Sequence, residues 1–146
     1  NNAVASTEVK SFEHLICTEQ LSRRLGFKVG EELIRVVRVR SLNGSARQVD
    51  HGYFLESIAK GLTPEIAASS IYDYLEHKRG VKVMASRRTV SVELANDEDC
   101  SYLDLGKYNC VAVMESQSYT SDGILFEVTH ARTHPEIFHY RVNSKR

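Results

Sequence analysis

The sequence lacks several features that mark specialised classes of protein. It has no tryptophan, only two prolines and only three cysteines among 146 residues. Lysines plus arginines number 19, and so do aspartates plus glutamates, which leaves no formal net charge. A surface made for nucleic acid normally carries an excess of basic residues. We therefore expect that this polypeptide alone does not bind DNA or RNA.

Signals for membranes, secretion and structural metal are also missing. The longest apolar stretches, such as residues 110–114, are far too short to span a bilayer. No signal peptide is visible at the start of the sequence. Cys17, Cys100 and Cys110 are odd in number and form no C-x-x-C pair, which is typical of free thiols in a reducing cytosol. The expectation is a cytoplasmic domain with no membrane partner and no structural zinc site.

Motifs for common catalytic and cofactor chemistry are not found. The sequence has no G-x-S-x-G, Walker or G-x-G-x-x-G pattern, and no Ser/His/Asp or Cys/His arrangement has motif support. His130 and His134 have a spacing that resembles a metal-binding pair. On a strand, however, residues four apart lie about 13 Å from each other. We expect no catalytic residue, no cofactor and no metal site.

An ordinary globular composition, with 42% apolar and 26% charged residues, predicts a single domain over residues 1–146. A strand, a short helix and a hairpin follow one another twice along this domain. In the first half, the helix begins after Thr18 and ends at Gly26, and the hairpin turns at Asn43-Gly44. The predicted strands of this half span residues 4–12, 32–42 and 45–55.

The second half repeats this pattern. Asn96 or Asp97 caps a helix over residues 97–105, and a tight type I′ hairpin is predicted at Asp122-Gly123. The predicted strands of this half span residues 82–94, 109–120 and 124–140. Arg87-Arg88, on the first of these strands, are interpreted as surface or rim charges.

A helical insert lies between the two halves. Pro64 is placed at the start of one helix, and Ser69 or Ser70 caps a second helix over residues 71–79 that ends at Gly80. With the two strand-helix-hairpin units, this insert predicts an α+β fold. We expect a twisted antiparallel sheet of about six strands with flanking helices.

Two arginines stand two residues apart in the apolar strand 32–42. Arg38 and Arg40 therefore share one face of that strand, where their charges repel each other unless an anion lies between them. The guanidinium group offers a planar fork of donors that suits phosphate or carboxylate. One interpretation is an anion-binding floor inside the sheet. The other is a solvated outer face or two structural ion pairs, which are common in proteins.

Short motifs follow one another in a recognisable order along the chain. They are Leu25-Gly26-Phe27, Gly30-Glu31, Val37-Arg38-Val39-Arg40, Asn43-Gly44, Tyr53-Phe54-Leu55, Gly61-Leu62, Ser70-Ile71-Tyr72, Gly80 and Asp122-Gly123 with Glu127. In this order, residues 11–140 resemble the UTRA effector-binding domain of GntR-type bacterial transcription regulators (the HutC subfamily), a fold shared with chorismate lyase. Residues 70–77 and 126–138 are most similar to trehalose-operon repressors, whose inducer is a phosphorylated disaccharide.

The resemblance implies a sensor of small cytoplasmic molecules rather than an enzyme. The expected effector is a sugar phosphate, with trehalose 6-phosphate as one candidate, or another anionic metabolite. Such domains usually form homodimers. A winged helix-turn-helix domain precedes this domain in such regulators, is missing from this sequence, and is expected to make all contacts with operator DNA. Two alternatives remain open: a chorismate-lyase-like enzyme for a small acidic substrate, and a dimerisation module with a vestigial pocket.

Several site residues follow from the resemblance. Arg38 and Arg40 match the paired arginines that hold the effector's phosphate or acidic group in this family. Ser70 and Tyr72 match a Ser-x-Tyr segment at a helix start, where free N–H groups, a hydroxyl and a phenol suit a phosphate. The alternative for these two residues is a plain N-cap and a core aromatic.

Acidic and histidine side chains complete the expected site. Glu127 matches the family's acidic residue, which accepts hydrogen bonds from sugar hydroxyls or an amine. Asp50 lies on the return strand of the first hairpin, and pairing with Arg40 or Arg47 explains it about equally well. Many family members carry Tyr-Arg-x-Asp after this glutamate, whereas here the stretch reads Thr-His-Pro-Glu from residue 133. His134 is therefore expected to donate a hydrogen bond to the ligand in place of the arginine.

Overall fold

The computed structural model describes residues 3–145. Six strands form one antiparallel sheet: β1 (Ala5–Ile16), β2 (Glu32–Leu42), β3 (Ser45–Leu55), β4 (Val83–Leu94), β5 (Cys110–Thr120) and β6 (Leu125–Thr133). The helices are α1 (Glu19–Leu25), α2 (Pro64–Ala67), α3 (Ile71–Asp73) and α4 (Asp97–Tyr102), and a π-helical turn, Tyr74–Lys78, continues α3. The predicted α+β fold with a six-stranded antiparallel sheet is confirmed.

The strand order in the sheet is β1-β2-β3-β6-β5-β4. Each half of the chain therefore contributes three adjacent strands, and the two halves meet where β3 pairs with β6. Both hairpins connect neighbouring strands, β2 with β3 and β5 with β6. This order leaves β1 and β4 as the two edges of the sheet.

Local capping signals place the helices as the sequence predicts. Thr18 caps α1 by accepting a hydrogen bond from the Leu21 N–H, and Gly26 ends the helix in the left-handed region with φ of 100°. Asn96 and Asp99 form a reciprocal capping box at the start of α4. These side chains satisfy backbone groups that have no partner inside such short helices.

The two hairpins use different turns. Asn43 and Gly44 have φ of 51° and 80°, which confirms the type I′ turn between β2 and β3. At the second hairpin only Gly123 has positive φ, so the type I′ prediction for Asp122-Gly123 is wrong. Four residues separate β5 from β6, and the Gly123 N–H bonds to the Thr120 carbonyl at 2.9 Å. The longer loop removes the need for a left-handed residue at Asp122.

Three predicted elements end earlier than expected. The strand predicted over residues 124–140 ends at Thr133, because Pro135 has no N–H with which to continue a ladder. The helix predicted over residues 71–79 is three α-helical residues followed by the π-helical turn. Helix α4 ends at Tyr102 rather than Leu105, where the chain becomes extended.

The helices cover the two faces of the sheet with separate apolar clusters. Ala67, Ile71 and Leu75, from the helical segment before β4, pack in one cluster with Val36 and Phe54 of the sheet. The second cluster lies on the opposite face and contains Val37, Val39, Val49, Val111 and Val113 of the strands with Leu103 and Leu105 from beyond α4. Among residues 3–145, no helix is long and apolar enough to cross a membrane.

Candidate functional site

A cavity of about 380 Å³ lies between the sheet and the helical segment that contains α2 and α3. Its floor is built from alternate residues of five neighbouring strands. Across one row, Val36 faces Gly52, Gly52 faces Thr129, Thr129 faces Ser116, and Ser116 faces Arg88. Because side chains on a strand alternate between faces, the same five strands present every second residue to this cavity.

The adjacent row contains the arginine that the sequence singled out. Arg38 faces Asp50 across β2 and β3, Asp50 faces Ala131, and Ala131 faces Met114. All four residues line the cavity. Arg40 follows two residues after Arg38 and lines the cavity as well, so the strand does bring both guanidiniums to the same side.

Asp50 lies between the two arginines and bonds to both. Its Oδ2 is 3.4 Å from Nη2 of Arg38 and 3.3 Å from Nε of Arg40. Its Oδ1 accepts a hydrogen bond from Nε2 of Gln48 at 2.6 Å. The side chains of Arg38 and Asp50 are 14% and 12% exposed, whereas that of Arg40 is 46% exposed. The structural ion pairs and the open cavity therefore coexist at this site.

The guanidinium of Arg38 is the deeper of the two. Burial lowers its pKa, the Asp50 and Glu127 carboxylates oppose that effect, and the charge of Arg40 adds to it. Its Nη1 donates a hydrogen bond to the carbonyl of Ala67, the last residue of α2, at 3.3 Å. One side chain thus links the floor of the cavity to the helical segment above it.

A second acidic group, Glu127, faces the cavity from β6. It lies opposite Phe54 and Ser118 in the sheet register. Burial raises the pKa of its carboxyl, and a hydrogen bond with Ser118 and the charge of Arg38 only partly counteract this. A half-buried carboxyl with spare acceptor capacity favours a ligand that brings hydrogen-bond donors such as hydroxyl or ammonium groups.

Ser70 and Tyr72 lie at the rim of the cavity, on the helical side. The Ser70 hydroxyl accepts a hydrogen bond from the Asp73 N–H at 3.1 Å, so Ser70 is the N-cap of α3 as well as a lining residue. Tyr72 is exposed rather than a core aromatic. Because α3 has only three residues, its dipole is small, and the side-chain hydroxyls are the groups available to a ligand.

His134 does not line this cavity. Its ring is buried and packs edge-on against Tyr108, with the ring centres 5.1 Å apart. Nδ1 accepts a hydrogen bond from the Glu136 N–H at 3.1 Å, which holds the turn that follows β6. The expectation that His134 donates to the ligand is therefore corrected, because Pro135 ends the strand and the ring turns into the protein.

Reasoning from the sequence missed other lining residues. Arg88, interpreted from the sequence as a surface or rim charge, is exposed and lines the cavity from β4 together with Ser116 and Thr129, a ligand-facing place that the sequence did not indicate. The alternation of side chains along each strand indicates which residues share a face. Only the register between strands shows which of those residues lie next to the cavity. Gly52 lies in the centre of the cavity floor. A Cβ at this position would lie 2.8 Å from the ring of Phe54, so a larger residue would force that ring to move.

The chemical character of the cavity is mixed and polarised. Three guanidiniums and two carboxylates line it, and the hydroxyls of serine, threonine and tyrosine residues lie between them. The paired arginines on β2 form a cationic pole, and Glu127 on β6 supplies acceptors beside it. Such a cavity is complementary to a small molecule with an anionic group at one end and several donors along its body. No cluster of metal-ligating side chains occurs among residues 3–145.

Comparison with known proteins gives a consistent result. The model of the UTRA domain family matches residues 1–139. The HTH-type transcriptional regulator TreR of Bacillus subtilis is 28% identical over 123 residues, which cover 84% of this chain and 52% of TreR. The HTH-type transcriptional repressor NagR of the same organism is 24% identical over 116 residues, or 80% of this chain and 47% of NagR. The chain thus spans about half the length of these relatives.

Solved structures match over almost the whole chain. The effector-binding domain of the B. subtilis trehalose repressor TreR superimposes with a TM-score of 0.89 at 27% identity, covering 97% of this chain and 98% of that one. The B. subtilis regulator YydK matches with a TM-score of 0.87 at 24% identity, covering 97% of this chain and 62% of that one. The second likeness supports the fold alone.

Proposed function

Because the chain belongs to the UTRA domain family, we propose that it is the effector-binding part of a GntR-type transcription regulator and that it binds a phosphorylated sugar. The observation that carries this proposal is the cavity itself. Two guanidiniums, Arg38 and Arg40, face it from one strand, and the half-buried acceptor Glu127 faces it from another. Phosphate and sugar hydroxyls are the complementary groups.

Binding in this scheme exchanges one anion for another. The phosphate takes bidentate hydrogen bonds from Arg38 and Arg40, in competition with the Asp50 carboxylate that bridges the two guanidiniums. Hydroxyl groups of the sugar donate to Glu127 and exchange hydrogen bonds with Thr129. Release of Asp50 and donation to the ligand are the events that distinguish the bound state from the free one.

A route for signalling leads from Arg38 into the helical segment. The hydrogen bond from this side chain to the Ala67 carbonyl lies next to the start of α3, where Ser70 and Tyr72 reach the cavity rim. A ligand held by the guanidinium and by the rim favours one position of α2 and α3 relative to the sheet. Such a preference is the condition under which a ligand shifts a conformational equilibrium.

The complete regulator is proposed to contact operator DNA through a part outside this chain and to act as a homodimer. The relatives named as HTH-type regulators are about twice as long as the segment that matches. Neutral overall charge in this chain agrees with a role in sensing rather than in contact with DNA. We propose no enzymatic activity, since the relatives described above are named as transcriptional regulators or repressors.

Calorimetric titration tests the proposed effector class. We expect trehalose 6-phosphate or a related sugar phosphate to bind, and the unphosphorylated sugar to bind much more weakly. Substitution Arg38→Ala is expected to weaken the binding about 10- to 150-fold, because charge-assisted hydrogen bonds contribute about 1.5–3 kcal/mol. In the wild-type domain, a ligand at a hundred times its Kd adds about 2.7 kcal/mol to the free energy of unfolding.

Arg23→Ala is the matched control, because Arg23 is exposed on α1 and does not line the cavity. It removes the same charge and is expected to leave sugar-phosphate affinity unchanged. Equal affinity in both variants would contradict the assignment of Arg38 to the phosphate. Binding of a neutral sugar as strongly as its phosphate would contradict the effector class.

A further inference from the structure

A second cavity, of about 310 Å³, lies beside the first one, near the turn between β2 and β3. Thr7 faces Arg40 across β1 and β2, and Arg40 faces Gln48 across β2 and β3. All three residues line this second cavity, and Arg40 and Gln48 line the first cavity as well. The two cavities are therefore neighbours that share two side chains.

An irregularity in the sheet brings a further arginine to the second cavity. The register between β2 and β3 shifts by one residue after Arg40, which leaves Arg47 without a partner on β2. Such a β-bulge changes the direction of side chains in the bulged strand. Arg47 thus lines the second cavity together with Arg40. Its carbonyl accepts a hydrogen bond from the His134 N–H at 2.8 Å, which holds the bulge against the turn after β6.

The charged side chains that line the second cavity are all positive. None of its lining residues is acidic, whereas Asp50 and Glu127 accompany the arginines of the first cavity. Within residues 3–145, the half-buried side chain of Arg47 forms no ion pair. Arg40 contacts Asp50 through Nε at 3.3 Å, which leaves its two terminal nitrogens to donate to another acceptor.

We propose that Arg40 and Arg47 form a second anion-binding site, which binds a small oxyanion such as inorganic phosphate. Two guanidiniums that line one cavity repel each other, and an anion between them removes that repulsion. Each guanidinium also offers a planar fork of donors that matches phosphate oxygens. The hydroxyl-bearing Thr7 lies opposite Arg40 in the sheet and supplies one more donor.

Hydrogen bonds between the two cavities make the second site separate from the first. Gln48, which lines both, donates from Nε2 to Oδ1 of Asp50 at 2.6 Å, and its Oε1 accepts from the Thr133 hydroxyl at 3.2 Å. A ligand in the first cavity meets these bonded side chains before it reaches Arg47. The second site therefore binds an anion of its own. Because it uses neither Arg38 nor Glu127, it does not depend on the proposed function.

Titration with inorganic phosphate, followed through the backbone amide NMR signal of each residue, tests the second site. We expect two groups of amides to shift, one at Ala67 and Ser70 above the first cavity and one at Thr7 and residues 46–48. Arg47→Gln keeps much of the side chain and removes its charge. It is expected to weaken phosphate binding at the second group at least about tenfold and to leave the first group near its wild-type affinity.

Two further variants separate the sites. Arg38→Ala alters only the first cavity, so the amides of residues 46–48 are still expected to shift with phosphate. Ala5→Glu leaves every arginine in place. Because Ala5 is exposed and lines the second cavity, the new carboxylate competes with phosphate and is expected to weaken binding there. This variant carries the test if the NMR spectrum shows that Arg47→Gln is misfolded.

Arg23→Gln is the matched control, because Arg23 is exposed on α1 and lines neither cavity. Equal phosphate affinity at residues 46–48 in the wild type and in Arg47→Gln would overturn the proposal. So would an equal weakening by Arg23→Gln, or amide shifts that sodium chloride of the same ionic strength reproduces. A response at residues 46–48 without one at Ala67 and Ser70 would support the second site and contradict the proposed function, so the two failures are distinguishable.

Discussion

Asp50→Asn is expected to weaken the fold and to strengthen anion binding at the same time. The Asp50 carboxylate bridges Arg38 and Arg40 at 3.4 and 3.3 Å, so an anion that binds both guanidiniums must compete with it. The substitution keeps the size of the side chain and an oxygen for Gln48. It removes the negative charge with which an incoming anion competes.

The magnitude follows from burial and distance. Opposite charges about 4 Å apart attract by about 4 kcal/mol at an effective dielectric constant of 20, and desolvation offsets much of this. Breaking a buried ion pair costs about 3–5 kcal/mol, and an exposed one less than about 1 kcal/mol. Arg38 is mostly buried and Arg40 is half exposed, and both contacts are long. We expect a loss of about 2 kcal/mol in the free energy of unfolding.

Urea-induced unfolding measures the stability, and calorimetric titration with inorganic phosphate measures the anion affinity. Phosphate is expected to bind about tenfold more tightly to the variant, which corresponds to about 1.4 kcal/mol. Asp122→Asn, in the turn between β5 and β6, removes the same charge far from the arginines and controls for net charge. Unchanged or weaker phosphate binding in Asp50→Asn would refute the competition and would mean that Asp50 orients the guanidiniums for the ligand.

Two further substitutions probe other groups. Burial raises the pKa of Glu127, so the folded state holds that proton more tightly than the unfolded state. The contribution of Glu127 to the free energy of unfolding is therefore complete below the ordinary carboxyl pKa and is lost as pH rises through the raised pKa of the folded state. Glu127→Gln is expected to remove this loss, so the variant is the more stable protein at neutral pH when unfolding is measured across a pH series. Parallel stability profiles for the two proteins would contradict this expectation. Arg132→Met leaves Asp99, which is fully buried and accepts three hydrogen bonds from Arg132, without its cation. We expect the free energy of unfolding, measured in urea, to fall by about 3–5 kcal/mol. Arg35→Met is the control and is expected to cost about 1 kcal/mol, because its partner Glu13 is half exposed. Equal losses in the two variants would show that burial of the ion pair is unimportant.

Much of the fold was predictable because its signals are local. Thr18 and Gly26 bound α1 through contacts within a few residues, and Asn43-Gly44 sets its turn through backbone preference alone. Predictions failed where a distant part of the chain or a loop length decided the outcome. Asp122 needed no left-handed conformation once the connection had four residues.

The candidate site shows the same division. Two arginines at alternate positions share a face whatever the rest of the chain does, and the family resemblance pointed to the ligand role of Glu127, which remains a prediction. Arg88 could not be assigned from the sequence, since its place in the cavity depends on how β4 pairs with β5. For His134, matching a position in a family signature was misleading, because the ring packs against Tyr108 instead.

Alternation along single strands, helix caps and the order of short motifs therefore established the fold class, the family and the arginine pair without coordinates. Each of these depends on residues close together in the chain. The register between strands decided which side chains share the cavity, that Asp50 bridges Arg38 and Arg40, and that β4 is a free edge. Those relations join residues far apart in the chain, and only the packed sheet brings them within bonding distance.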